Sequence, residues 1–125
     1  MNTVWIGIGG AVGSMLRYHL GAIIHARLGS DFPYGTLVIN VVGSFLLALL
    51  AALGLRDALI GPSLRLALGT GVLGGFTTYS TFNFDTLRLF QTGAPALGAL
   101  NLAATVIGSL IAGLLGWNCG RLWAS

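Results

Sequence analysis

The sequence predicts an all-α membrane protein with four transmembrane helices, and two observations support this prediction. The first is composition: 7% of the 125 residues are charged, whereas 55% are apolar and 20 are glycine. A soluble domain has about a quarter of its residues charged, so this chain would expose large apolar patches in water. The second is that its apolar residues fall into long runs, each of about the 20 residues that a helix needs to cross a bilayer.

Short polar segments separate the apolar runs and set the order of the predicted spans. The runs are interrupted by Asp, Arg, Gly and Pro residues in segments 31–33 and 56–62, and Gly93 and Pro95 mark the entry to the last run. The predicted spans cover residues 4–26, 34–55, 64–90 and 95–120. Because they use most of the chain, we expect a single transmembrane domain over residues 1–125.

The arginines are divided almost evenly between the two sides that four spans define. Arg56, Arg65 and Arg121 fall on the side of the chain termini, and Arg27 and Arg88 fall on the opposite side. An excess of Arg and Lys normally marks the cytoplasmic side of a membrane protein, and here that excess is nearly absent. We therefore expect insertion in both orientations and an antiparallel homodimer. The alternative is a partner protein that imposes one orientation.

Glycine spacing predicts close contact between the helices. Three glycine pairs have the small-residue spacing that lets helix backbones approach in a membrane, namely Gly9 with Gly13, Gly71 with Gly75 and Gly116 with Gly120.

Polar side chains form a stripe along one face of the second span and another along the fourth. The second span carries Thr36, Asn40 and Ser44, and the fourth carries Asn101, Thr105 and Ser109, each at a spacing of four residues. Such residues either bond neighbouring helices together or line a polar pathway, and both interpretations stay open. Hydroxyl and amide groups are donors that can solvate an anion, and no carboxylate is expected near them.

Arg17 is the one cation deep in a predicted span. It either sets a positive potential for an anion or bonds to carbonyls near a helix end, with its charge reaching toward the interface.

The third span contains a segment that is poorly suited to a continuous helix. In residues 74–82, two glycines and a phenylalanine precede five consecutive hydroxyl-bearing residues. The segment predicts a helix that breaks inside the membrane, where irregular backbone is tolerated if it is buried or lines a cavity. The alternative is an intact helix whose hydroxyls bond one turn back. Tyr79 and Phe82 lie on one face if the helix resumes here, and their ring edges carry partial positive charge.

Other functional classes find little support in the sequence. It contains no set of nucleophile, base and acid of the kind that catalysis requires, so we do not expect an enzyme. Its six scattered arginines form no basic patch for nucleic acid.

Three segments together resemble the Fluc (CrcB) family of fluoride channels, and the resemblance extends over essentially the whole chain. The matching segments are Gly9-Gly10-x-x-Gly13-x-x-x-Arg17-Tyr18, Gly35-Thr36-Leu37-x-x-Asn40-x-x-Gly43-Ser44-Phe45 and residues 74–82. The resemblance implies an antiparallel dual-topology dimer with two pores in the bacterial inner membrane. It also implies passive fluoride export, which would protect the cell from fluoride that enters as HF.

The resemblance also implies roles for particular residues. Asn40 would be the pore amide, and Tyr79 and Phe82 the rings whose edges meet fluoride, although the family usually has Phe at both positions. Hydroxyls on the pore path would be those of Ser80 and Thr81. The fourth-span stripe matches the family's polar track less specifically. A structural sodium ion would lie on the backbone carbonyls of Gly74 and Thr77 from both subunits.

Two alternatives belong to other functional classes. A small dual-topology multidrug antiporter also has four short spans, but it needs a carboxylate within the membrane; this sequence has no Glu and no Asp deep in a span. A non-transporting assembly subunit would use both polar stripes for helix packing alone.

Overall fold

The computed structural model describes residues 1–54 and 60–123, and all regular structure in them is helical. The chain forms four rods. The first is α1 (Asn2–Leu28) and the second is α2 (Tyr34–Gly54). The third rod is composite: it comprises α3 (Pro62–Leu66), a π-helix (Ala67–Leu73), α4 (Gly74–Phe76) and α5 (Tyr79–Gln91). The fourth is α6 (Pro95–Trp123).

Glycine and proline residues set the helix boundaries. Gly29 follows α1 with a φ of 84°, and its N–H donates to the carbonyl of His25. Gly93 precedes α6 with a φ of 82°. Both glycines adopt the left-handed conformation that other residues rarely take.

The second predicted span ended at Leu55, followed by Arg56, and these two residues lie outside the described part of the chain.

Two of the rods have the length and composition of membrane spans. Within the described residues, α2 and α6 are long and apolar enough to cross a membrane, whereas α1 and the third rod do not meet the same criterion. Large apolar side chains on α6, such as Leu110 and Leu114, are each 65% exposed in the single chain. Such a surface is suited to lipid or to another protein, not to water.

The rods pack in two pairs with very close backbones. In the pair formed by α1 and the third rod, a Cβ atom added to Gly9 would lie 2.5 Å from the carbonyl oxygen of Ala67. One added to Gly75 would lie 2.5 Å from the carbonyl oxygen of Gly10. In the pair formed by α2 and α6, a Cβ at Gly120 would lie 2.9 Å from the carbonyl oxygen of Leu49. The close approach predicted from glycine spacing is therefore confirmed.

Candidate functional site: two cavities beside a helix break

The predicted interruption of the third rod is present at Thr77 and Thr78. Thr77 has φ −76° and ψ 153°, and Thr78 has φ −150° and ψ 112°, so both leave helical geometry. Asn40 on α2 holds the extended segment: its Oδ1 accepts from the Thr78 N–H at 2.8 Å, and its Nδ2 donates to the Thr78 carbonyl at 3.0 Å. An amide side chain can hold the backbone at Thr78 in this way because it carries both a hydrogen-bond donor and an acceptor.

The break removes the helical partners of the two carbonyls predicted to hold a cation. In a continuous helix, the Thr78 N–H would donate to the carbonyl of Gly74, but here it donates to Asn40. Likewise, the Thr81 N–H donates to Thr78 Oγ1 at 3.3 Å instead of to the carbonyl of Thr77. Oxygen atoms of this kind suit a hard cation, so the donor set fits the predicted sodium ion.

An inner cavity of about 320 Å³ lies beside the break. It brings together several predicted site residues from α2, α5 and α6, namely Asn40, Tyr79, Phe82, Thr105 and Ser109, and it is also lined by Ser44, Thr77 and Thr78. Asn40 Nδ2 carries a second hydrogen besides the one bonded to Thr78. Ser109 Oγ is buried and has no hydrogen-bond partner among the described residues. Both can therefore offer a donor to an occupant of this cavity.

The two rings predicted to meet the ion lie against each other. The centroids of Tyr79 and Phe82 are 5.7 Å apart, and the ring planes are inclined at 70°. Phe82 is 5% exposed, whereas Tyr79 is 78% exposed in the single chain. Phe82 therefore belongs to the wall of the inner cavity, and Tyr79 stands at its open side.

An outer cavity of about 450 Å³ contains the charged groups near the break. Its lining includes Arg17, Thr36, Thr81, Asp85 and Arg88, together with Thr78, which lines both cavities. Thr78 Oγ1 donates to Thr81 Oγ1 at 2.9 Å and lies 3.4 Å from Ser80 Oγ. Thr78 therefore belongs to both linings and bonds to Thr81 of the outer one, whereas Ser80 lines neither cavity.

One expectation about the second-span stripe is wrong. No carboxylate was expected near it, yet Thr36 Oγ1 donates to Asp85 Oδ2 at 2.8 Å. The Asp85 side chain is 13% exposed and also lies 3.8 Å from the guanidinium of Arg88, one turn further along α5. The expectation failed because Asp85 is 49 residues from Thr36 along the chain, and only packing of α5 beside α2 brings them together.

The structure places the three residues of the fourth-span stripe in two different environments. Thr105 and Ser109 line the inner cavity, but Asn101 is not among its lining residues. Asn101 is 1% exposed, and its Nδ2 donates to Thr86 Oγ1 at 2.9 Å.

Thr78 and Thr86 are the important polar residues that sequence reasoning missed. The position of Thr78, three residues before Thr81, is that of a helix N-cap and was a usable signal; Thr86 carried none.

Comparisons with known proteins identify the family of this chain. Residues 4–117 match the family model described as CrcB-like protein, Camphor Resistance (CrcB). A relative from Sorangium cellulosum, named fluoride-specific ion channel FluC, is 50% identical over 117 residues, which are 94% of this chain and 92% of the relative. Relatives of the same name from Agrobacterium fabrum and Magnetococcus marinus are 43% and 40% identical, and each match covers 97% or more of both proteins. The chain belongs to the CrcB-like family.

Proposed function

We propose that the protein is a passive, fluoride-selective ion channel of the bacterial inner membrane that lets fluoride leave the cytoplasm. The names of the relatives support fluoride as the ion. The inner cavity is the observation that carries the proposal for this chain. Its lining includes Ser109, whose buried hydroxyl has no partner among the described residues, and Asn40, whose amide has a second hydrogen, beside the rings of Tyr79 and Phe82. A selective pore must replace an ion's hydration shell with close ligands, and these donors can do so for a small anion.

The proposed route passes from the outer cavity to the inner one along the hydroxyls of the break. Arg17 lines the outer cavity and would raise the local concentration of anions there. Thr81 and Ser80 carry hydroxyls beside Thr78 and would accompany the ion past the break. Asn40, Ser109 and the ring edge of Phe82 would then hold it in the inner cavity, whose lining also includes Thr105. None of the described residues that line the inner cavity is charged, which favours exit of the ion as well as entry.

The proposal includes an antiparallel homodimer, in which a second copy covers the open side of the inner cavity. The 78% exposure of Tyr79 in the single chain supports this part, because a second copy would cover both the ring and the open side of the cavity that the ring borders. The carbonyls of Gly74 and Thr77 would hold a structural sodium ion shared by two copies. A bound sodium ion would supply a positive charge that satisfies carbonyls left without helical partners.

Fluoride efflux from liposomes tests the function. Vesicles containing the purified protein and loaded with fluoride should release it rapidly, should retain chloride, and should be insensitive to a proton gradient. The variant Phe82→Ile should slow the flux by about tenfold or more, because it removes an aromatic edge from the cavity wall. The matched control is Phe84→Ile on the same helix, whose side chain is 65% exposed and does not line the inner cavity.

The alternatives predict different results in the same assay. The partly buried Asp85 carboxylate is the observation that favours a proton-coupled antiporter. Transport driven by a proton gradient would support that class instead. If the folded, reconstituted protein releases no fluoride, the channel hypothesis is rejected and the assembly-subunit hypothesis remains.

A further inference from the structure

A buried chain of hydrogen bonds connects α6 to the backbone of Phe82. Thr105 Oγ1 donates to Asn101 Oδ1 at 3.4 Å, Asn101 Nδ2 donates to Thr86 Oγ1 at 2.9 Å, and Thr86 Oγ1 donates to the Phe82 carbonyl at 2.8 Å. All four residues are buried, with exposures of 1–6%. We call this series from Thr105 to Phe82 the relay.

The donors and acceptors of the relay allow only one donor-to-acceptor order along its hydrogen bonds. Thr86 has a single hydroxyl hydrogen, and this hydrogen is directed at the Phe82 carbonyl. Toward Asn101, Thr86 can therefore only accept, so the amide nitrogen of Asn101 must face it. The amide oxygen then faces Thr105. Bonds aligned in this way strengthen one another in a medium of low dielectric constant.

The relay joins two walls of the inner cavity. Phe82 on α5 forms one wall, and Thr105 and Ser109 on α6 belong to the other. Asn101 lies one helical turn before Thr105 and does not line the cavity itself. Its bond to Thr86 fixes α6 against α5 at the level of Phe82, and so fixes the distance between the ring and the α6 hydroxyls.

We propose that Asn101 is a positioning residue that holds Phe82 in place through Thr86, and that it does not bind the ion. The inference rests on the proposed function in one respect, because it treats Phe82 as part of the ion path. It also divides the polar stripe of α6 by role. The amide of Asn101 is used inside the protein, whereas the buried Ser109 hydroxyl has no partner among the described residues and is available to an ion.

The test combines flux kinetics with a signal from the Phe82 ring in the full-length protein in liposomes. Thr86→Val and Asn101→Leu each break the relay while nearly keeping side-chain volume. Each should lower the maximal fluoride flux by about tenfold, the rate equivalent of one lost buried hydrogen bond. The fluoride concentration that gives half-maximal flux should stay within about twofold of its original value, since binding groups are retained. Thr86→Ser keeps the hydroxyl and should restore the flux.

Thr92→Val is the matched control, because Thr92 Oγ1 makes the same kind of bond to the carbonyl one turn back on α5, that of Arg88, at 2.8 Å. It should leave the flux unchanged. NMR of ring-labelled phenylalanine should show a shifted Phe82 signal in Thr86→Val and Asn101→Leu, but not in Thr92→Val. The double variant should be no slower than the slower single variant.

Several results would overturn the proposal. An Asn101→Leu protein whose half-maximal concentration rises while its maximal flux is kept would make Asn101 an ion ligand. Additive effects on flux in the double variant, or an unchanged Phe82 signal in the single variants, would show that the relay does not position Phe82. If the original protein carries no fluoride, the proposed function fails, and the NMR comparison still decides whether the relay holds the ring.

Discussion

Asn40 makes two hydrogen bonds from one side chain to the extended backbone of Thr78. Its amide pairs with both the N–H and the carbonyl of Thr78, in the manner of a neighbouring strand. Sequence reasoning identified Asn40 as a polar residue in an apolar span but could not assign this partner, because the partner is backbone 38 residues away. The stripe spacing identified the residue and its helix face, whereas its bonding depended on packing.

We expect Asn40→Leu to destabilise the protein because the N–H and carbonyl of Thr78 lose their partners. An unsatisfied buried polar group costs about 1–3 kcal/mol, so thermal unfolding in detergent should occur at a clearly lower temperature. Ser44→Ala is the control: Ser44 lies one turn along the same helix and lines the same cavity, but its hydroxyl only bonds back to the Asn40 carbonyl. Equal melting temperatures for the two variants would show that Asn40 does not hold the break.

At the scale of elements, sequence predicted the number and order of the rods better than the detail of the third one. Four helical rods follow from four apolar runs, and the glycine-rich segment predicted an interruption that the structure places at Thr77 and Thr78. The π-helix Ala67–Leu73 was not predicted. Its residues are as apolar as those of an ordinary helix, so hydropathy cannot distinguish the two, and π-helical turns often occur near functional sites.

Close packing between α1 and the third rod gives a prediction that uses two glycines of one helix. Gly9→Ala should destabilise the protein by about 1–3 kcal/mol, since the added Cβ would lie 2.5 Å from the carbonyl oxygen of Ala67 and the backbone must move. Gly7→Ala should be neutral or stabilising, because nothing lies within 4 Å of its added Cβ. Chemical or thermal unfolding compares the two, and a Gly9→Ala protein as stable as Gly7→Ala would contradict the packing.

At the scale of the whole molecule, the single chain exposes much of its apolar surface and leaves the inner cavity open beside Tyr79. Composition predicted the first property directly. The second leads to the proposed homodimer. One sequence encodes the contacts between two copies only indirectly, here through the near-even distribution of its arginines.

The proposed sodium site gives a prediction for the assembled protein. If the carbonyls of Gly74 and Thr77 hold sodium between two copies, replacing sodium by N-methylglucamine should lower the melting temperature and weaken the dimer. A ligand present at a hundred times its dissociation constant stabilises by about 2.7 kcal/mol, so the melting temperature should rise with sodium concentration. Exchanging chloride for gluconate at constant sodium is the control. A dimer equally stable without sodium would reject the site.

The uneven apolarity of the four rods also constrains how the protein is made. Of the described helices, α2 and α6 alone meet the length and composition criterion for crossing a membrane. Each follows a rod that does not meet it: α1 is long enough but less apolar, and the third rod is divided into short helices. A segment of marginal hydrophobicity enters the bilayer poorly by itself. We therefore expect insertion as two helical hairpins, in which α2 assists the entry of α1 into the lipid and α6 assists the entry of the third rod. The first hairpin would be complete before the ribosome has finished the second.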